Sequence, residues 1–128
     1  MGYLGYQFLL EEYNQRTDAY GGTVANRVRF VRELLEATRE AVDGSCGVAL
    51  RISLEELRGK PSDHYASEAH EVVALMADVP DLWDVKMDSS PTDCGASRFR
   101  PEGAHEPVID FVKQVTDRPV VGAVSYTH

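Results

Sequence analysis

Arg51 is the side chain in this sequence best suited to bind a group that becomes negatively charged. It stands where an apolar run, GVALRIS (residues 47–53), ends, and this run predicts a strand covered on both faces. A guanidinium there is a fixed positive charge with several N–H donors, which suits a ligand that gains negative charge during a reaction. The alternative is an ion pair with Asp84 or Asp88 of the neighbouring strand, and the sequence alone does not decide between the two.

Asp93 and Tyr3 are candidates for acid–base or substrate contacts. Asp93 lies in a predicted loop over residues 88–104, which is long for a compact domain and therefore a candidate functional loop. Its carboxylate could act as a base or pair with a substrate ammonium, although an exposed loop carboxylate is the commoner role. Tyr3, in GYLGYQF, carries a phenol that can donate a proton or a hydrogen bond; packing is the alternative role.

Composition and charge argue against several classes of protein. The chain has 128 residues, 43% of them hydrophobic and 27% charged, which predicts one domain spanning residues 1–128. A net charge of −8 argues against nucleic acid as a partner. There is no apolar run of about 18 residues and no secretory leader, so we expect a cytoplasmic protein without a membrane partner. Cys46 and Cys94 lack metal-ligand spacing, so no metal is predicted and both are expected to be free, buried thiols.

The most regular element is a helix that starts after residue 23. Thr23 is its predicted N-cap, and the Asp43-Gly44 pair is its predicted end because glycine tolerates positive φ. Positions three or four residues apart place one stripe on one face of this helix. The stripe consists of Val24, Val28, Val31, Leu35, Thr38 and Val42.

Helices and strands alternate along the rest of the chain. Ser62 or Ser67 is the predicted cap of a second helix, and strands are predicted at LWDVKM (82–87) and PVVGAV (119–124). The buried positions are predicted to be Ala69, Val72, Val73 and Met76 in the second helix and Val108, Ile109, Val112 and Val115 in a third. This alternation predicts an α/β fold with parallel strands, and the long loops all follow strands, as in a (β/α)8 barrel. Because such a barrel needs about 250 residues, we expect a partial (β/α)8 TIM barrel.

Three segments within residues 2–30, namely GYLGYQFL, NQRTDAYGG and NRVRF, resemble the old yellow enzyme family of NADH:flavin oxidoreductases. The resemblance implies that the second segment is the loop before the fourth barrel helix, and that ALRIS, LWDVKM and PVVGA are strands 5 to 7. It gives this loop a packing role: the Tyr20-Gly21-Gly22 turn enters the helix tightly, and the arginines bind loop carbonyls and carboxylates. MADVPDLWDV, SRF and VKQVTDRPVVG are most similar to the branch containing trimethylamine dehydrogenase and histamine dehydrogenase.

The resemblance implies an FMN-dependent oxidoreductase in which Arg51 contacts the N1 and C2-carbonyl side of the flavin. Tyr3 matches the tyrosine that faces the substrate above the flavin. Asp93, four residues before Ser97, resembles the acidic residue near the amine substrate. The implied reaction is oxidation of a C–H bond next to an amine nitrogen. The alternative within the family is NAD(P)H-dependent reduction of an activated alkene, with Tyr3 as proton donor.

The resemblance also implies that this chain is a fragment. The family's first four strands, the substrate-binding His or Asn upstream of Gly2, and the phosphate-binding residues after the seventh strand have no counterpart in the sequence. FMN binding by the fragment itself is therefore not implied. A further alternative is a catalytically inactive half-barrel module. Exposed strand edges invite pairing with another copy, so we expect a homodimer or a larger assembly.

Overall fold

The computed structural model describes residues 4–54, 63–86 and 106–123. The predicted alternation of helix and strand is confirmed, and it is preceded by a short helix that the sequence did not predict. The elements are α1 (Leu4–Leu9), α2 (Val24–Val42), β1 (Ala49–Ser53), α3 (Asp63–Leu75), β2 (Leu82–Lys86), α4 (Glu106–Val115) and β3 (Val120–Ala123). None of the helices in the described ranges is both long and apolar enough to cross a membrane.

Helix α2 begins and ends where the sequence predicts. Thr23 has extended backbone angles (φ −63°, ψ 154°), and its side chain accepts a hydrogen bond from the Asn26 N–H at 3.3 Å. At the other end Asp43 is left-handed, with φ 45°, and Gly44 follows with φ 72°. The Asp43 N–H donates to two carbonyls of the last turn, which satisfies acceptors that the helix leaves open.

The buried stripe of α2 is shorter than predicted. Four of its six predicted positions, Val24, Val28, Val31 and Leu35, are buried, and Val42 is half-buried against the same core. Thr38 is exposed, and its hydroxyl donates to the Leu34 carbonyl at 2.7 Å instead of packing. Including Thr38 was therefore wrong, because its hydroxyl finds an acceptor on its own helix.

The sheet is parallel throughout, with the strand order β1-β2-β3. Leu50 and Trp83 are paired across β1 and β2, and Trp83 is paired with Val120 of β3. One residue further along, Arg51 is paired with Asp84, and Asp84 with Val121. Successive residues of a strand point to opposite faces, so these two rows lie on opposite sides of the sheet. Together with the flanking helices, this topology is a partial (β/α)8 barrel, as the sequence predicts.

The helices cover one face of this sheet. Ile52, Trp83 and Val85 are buried on that face, in one cluster with residues from three helices: Val28, Val31 and Leu35 of α2, Val72 and Val73 of α3, and Val112 of α4. On the opposite face Ala49 and Arg51 are exposed, and Val121 is 49% exposed. The prediction that the first strand is covered on both faces is therefore wrong within the described residues. In a closed barrel the helices form the outer ring, so the helix-free face is the inner one.

Asp81, the residue before β2, joins several elements at the amino ends of the strands. Its N–H donates to the Val48 carbonyl at 2.8 Å, and its Oδ2 accepts from the Val48 N–H at 2.9 Å. Its Oδ1 lies 3.3 Å from an Arg39 Nη2 of α2 and 3.9 Å from the Arg118 Nη1 that follows α4. This Asp81 network fixes the end of the sheet that in barrels of this type governs stability.

The remaining predictions have mixed outcomes. The predicted buried positions of the second helix are confirmed, although Met76 lies just after the end of α3; in α4 Ile109 and Val112 are buried as predicted, and Val115 is half-buried against the same core. Helix α3 begins at Asp63, so Ser67 lies inside it and is not its cap; Ser62 falls outside the described residues. Cys46 is free, as predicted, but it is exposed, because it lies in the turn after α2 and not in an apolar element. Cys94 and the Val108 side chain are outside the described part of the chain.

Candidate active site

Arg51 projects from the helix-free face of the sheet. It is the third residue of β1, two residues before the end of that strand and not at the end itself as predicted. Its Nε lies 3.5 Å from Asp84 Oδ2 on the adjacent strand, while 64% of its side chain stays exposed. The ion pair that the sequence offered as an alternative is thus present, yet the guanidinium remains accessible to a ligand. Asp88, the other partner considered, lies outside the described residues.

Asp84 occupies the middle of the sheet, beside Arg51 on one strand and Val121 on the other. Its side chain is only 27% exposed. Oδ1 is buried and has no hydrogen-bond partner among the described residues, and the same is true of the Ser53 hydroxyl at the end of β1. Buried polar atoms usually have partners, so these two atoms mark a surface where a ligand or another segment can complete the bonding.

Tyr3 and Asp93 both lie outside the described residues, and their proposed roles stay predictions. The segment directly after Tyr3, however, is attached to β1. The Tyr6 phenol accepts a hydrogen bond from the Ser53 N–H and lies 3.3 Å from the Ser53 carbonyl, to which it can donate. Sequence reasoning treated Tyr6 only as part of a motif, because nothing in its spacing indicates a partner 47 residues away.

The arginine-rich loop has the structural role predicted for it. The Arg27 side chain is 3% exposed, and its Nη2 lies 2.9 Å from Glu68 Oε2 of α3. Its Nε donates to the Leu9 carbonyl at 2.9 Å and its Nη1 to the Gly22 carbonyl at 2.7 Å. Arg27 therefore joins α1, the loop and α3, and it is not available to a ligand.

The turn at Gly21 and Gly22 requires glycine at both positions. A Cβ on Gly21 would stand 2.0 Å from the Arg16 carbonyl oxygen, and Gly22 has φ +81°. Asn14, which sequence reasoning overlooked, is buried inside this loop and donates from Nδ2 to the carbonyls of Phe8 and Tyr20, both at 2.7 Å. Short polar side chains that bond loop carbonyls are a general signal for such turns.

An ion pair and a hydrogen bond on the surface of this loop shift the pKa values of its titratable groups. The hydrogen bond from Arg16 lowers the pKa of the Asp18 carboxyl, and the backbone N–H of Tyr20 adds to the effect. The Tyr20 phenol donates to Glu33 Oε2 at 2.9 Å, and this bond raises the pKa of Tyr20. These groups face solvent, so their contacts contribute little to stability.

The fold and this arrangement define a segment of a (β/α)8 barrel that carries the exposed guanidinium of Arg51 on its inner face. The model of the NADH:flavin oxidoreductase / NADH oxidase family matches residues 1–128, and the chain belongs to this family. Its members are FMN-dependent flavin oxidoreductases. The residues present fit such a group, because the exposed guanidinium of Arg51 can donate hydrogen bonds to the electron-rich edge of a flavin.

Individual relatives include enzymes that act on amines. The chain is 36% identical over 123 residues to the dimethylamine dehydrogenase of Hyphomicrobium sp. (strain x), covering 94% of this chain and 17% of that protein. It is 40% identical over 84 residues to an NADPH dehydrogenase of Clostridium acetobutylicum, covering 66% of this chain and 24% of that protein. The structure of 6-hydroxypseudooxynicotine amine oxidase from Pseudomonas geniculata N1 is similar, with a TM-score of 0.81 and 48% identity over 93% of this chain and 18% of that one. The chain thus spans a quarter or less of the length of these proteins.

Proposed function

We propose that this chain forms part of the flavin-binding barrel of an FMN-dependent oxidoreductase that oxidises a C–H bond next to an amine nitrogen. The observation that carries the proposal is the position of Arg51, whose guanidinium is 64% exposed on the helix-free face of the sheet. The amine specificity is supported by the similarity to a dimethylamine dehydrogenase and to an amine oxidase.

In this proposal Arg51 binds the edge of the flavin and holds a fixed positive charge beside it. FMN, when bound there, would supply the acceptor for the hydride equivalent of the substrate C–H bond. A preorganised cation next to developing negative charge lowers the barrier without any rearrangement of the protein. Asp93 pairs with the substrate ammonium, and Tyr3 donates a hydrogen bond on the substrate side.

The proposal is tested by titrating the chain with FMN and following the flavin fluorescence. Arg51→Gln removes the charge while keeping a polar side chain, and we expect it to weaken FMN binding about tenfold, as loss of a charged hydrogen-bonding group should. Arg29→Gln is the matched control, since Arg29 is an exposed arginine of α2. Equal dissociation constants for the two variants would contradict the placement of the flavin at Arg51.

The substrate class is tested by anaerobic mixing of the FMN-loaded chain with dimethylamine. We expect the flavin absorbance to fall, and Asp93→Asn to slow this fall more than it weakens FMN binding, because Asp93 acts on the substrate. Asp117→Asn is a suitable control, because Asp117 is an exposed carboxylate after α4. If dimethylamine lowers the flavin absorbance equally fast in Asp93→Asn and in the original chain, the proposed role of Asp93 is wrong.

A second candidate function is NAD(P)H-dependent reduction of an activated alkene, favoured by the similarity to an NADPH dehydrogenase. Tyr3 would then supply the proton that the product gains. Loss of flavin absorbance with NADPH, its recovery with an enone, and a slower recovery for Tyr3→Phe would support this candidate. Reduction by dimethylamine and not by NADPH would contradict it.

A third candidate is a non-catalytic half-barrel module that self-associates. It is favoured by the helix-free sheet face, where Ala49 is exposed and Val121 is 49% exposed, and by the edge positions of β1 and β3 in the described sheet. We expect a homodimer or larger assembly, weakened by Val121→Glu, in sedimentation equilibrium. A folded monomer at micromolar concentration would contradict it.

A further inference from the structure

Asp84 contacts Arg51 at the guanidinium Nε. Its Oδ2 lies 3.5 Å from Arg51 Nε, and the two residues are paired in the register of β1 and β2. The pairing places both side chains on the helix-free face, at the same level of the sheet. The contact with Asp84 is therefore made along the sheet surface, at the nitrogen nearest the aliphatic stem of Arg51.

A long side chain on an open sheet face has many rotamers, and ordering it when a ligand binds costs free energy. A carboxylate held on the neighbouring strand reduces that cost beforehand, because the planar guanidinium then presents its remaining donors in a restricted orientation. Asp84 suits this task because it is in the middle strand and only 27% exposed, so its own position is fixed more firmly than that of Arg51.

The unpaired oxygen of Asp84 points to the same conclusion. Oδ1 is buried with no hydrogen-bond partner among the described residues, which is costly for a carboxylate unless a nearby cation compensates. The ion pair with Arg51 supplies such a cation. We infer that Asp84 is a positioning residue, which orients Arg51 for the cofactor without contacting the cofactor itself. The functional part of this inference depends on the proposed function.

The orientation of Arg51 is measured directly by nitrogen NMR of arginine Nε–H groups in the chain without FMN. We expect Asp84→Ala to move the Arg51 signal and to increase its mobility, and Asp84→Asn, which keeps an oxygen acceptor, to restore most of the original signal. Arg32, whose Nε lies 2.8 Å from Glu36 Oε1, is an internal reference that should not change. An Arg51 signal that is identical in all three chains would overturn the inference.

The effect on the cofactor is measured in a double-mutant cycle of FMN dissociation constants. We expect Asp84→Ala to weaken FMN binding about fivefold when Arg51 is present, the range of a partly exposed ion pair, and to have no effect in an Arg51→Ala background. Asp84→Asn should recover most of the affinity in the presence of Arg51. An equal loss in both backgrounds would overturn the inference, because Asp84 would then act on the fold or on FMN directly.

A failure of the proposed function and a failure of the positioning role of Asp84 give different results in these experiments. If Arg51→Ala alone leaves FMN binding unchanged, the proposed function fails at Arg51, and the NMR comparison still decides whether Asp84 orients that side chain. If Arg51→Ala weakens binding while Asp84→Ala leaves both FMN affinity and the Arg51 signal unchanged, the proposed function stands and the positioning role of Asp84 is wrong.

Discussion

Replacing Arg27 by alanine should destabilise the chain more than any other single arginine substitution in α2. Arg27 is 3% exposed, whereas Arg29, two residues later, is exposed. The substitution removes the Arg27 donors, at 2.9 and 2.7 Å, from the carbonyls of Leu9 and Gly22, and it removes the ion pair between Arg27 and Glu68. These groups come from α1, from the loop and from α3, so one side chain joins three parts of the fold.

The magnitude follows from the two carbonyl contacts. A hydrogen bond to a charged group contributes about 1.5–3 kcal/mol, so the two together contribute about 3–6 kcal/mol. Water that enters the space left by the side chain recovers part of this, and we expect a loss of about 3–4 kcal/mol. Loss of the ion pair with Glu68, which is 18% exposed, adds to this. The loss is a large fraction of the roughly 5–15 kcal/mol that stabilises a typical domain.

The assay is urea unfolding followed by circular dichroism, with the free energy of unfolding compared among variants. Arg27→Met keeps most of the aliphatic volume and separates bonding from packing; it should lose nearly as much as Arg27→Ala. Arg29→Ala is the matched control and should change stability by less than about 0.5 kcal/mol. An Arg27→Ala chain within about 1 kcal/mol of the Arg29→Ala chain would refute the argument.

Three further predictions concern the loop and the start of α2. Gly21→Ala should lower the free energy of unfolding by about 1–3 kcal/mol, since its Cβ would stand 2.0 Å from the Arg16 carbonyl oxygen; unchanged stability in urea would contradict this. Thr23→Ala removes the N-cap of α2 and should cost about 1 kcal/mol in the same assay, and Thr23→Ser should cost much less. Glu33→Gln should lower the pKa of Tyr20 toward its ordinary value in an NMR titration of the ring. The pKa of Tyr20 is raised in the folded chain. The stabilisation from the Tyr20–Glu33 pair is therefore present below the pKa that Tyr20 has in the unfolded chain, and it is lost as the pH rises through the folded-state pKa. In this pH range the free energy of unfolding of Glu33→Gln should depend less on pH than that of the original chain.

The sequence predicted the elements where local signals were strong. Thr23 and the Asp43-Gly44 pair define both ends of α2 through side-chain capping and positive φ, which depend on neighbours only. Helix α1 was not predicted because LGYQFL is short, contains Gly5 and has no helical period that a six-residue segment could show. Long-range contacts hold α1 in place, among them the bonds of Tyr6 to Ser53 and of Arg27 to the Leu9 carbonyl, and local patterns do not report such contacts.

The candidate site was predicted in part. Arg51 was identified from its residue type and its place in an apolar run, and its pairing with Asp84 was one of two alternatives because the parallel order of the strands makes those residues neighbours. The exposure of the β1 face was not predicted, since an apolar strand sequence does not tell which neighbours cover it. The roles of Tyr3 and Asp93 stay predictions that rest on the family resemblance.

The Asp81 network has a practical consequence for protein engineering. Its bonds to Arg39, Arg118 and Val48 all lie before the strands begin, whereas the long segments at residues 55–62 and 87–105 follow the strands. Segments grafted from relatives can therefore be exchanged at those two positions in the chain while the Asp81 network that aligns the strands is left intact. A chimera library built on this chain should be cut after β1 and after β2, and never between residues 77 and 81.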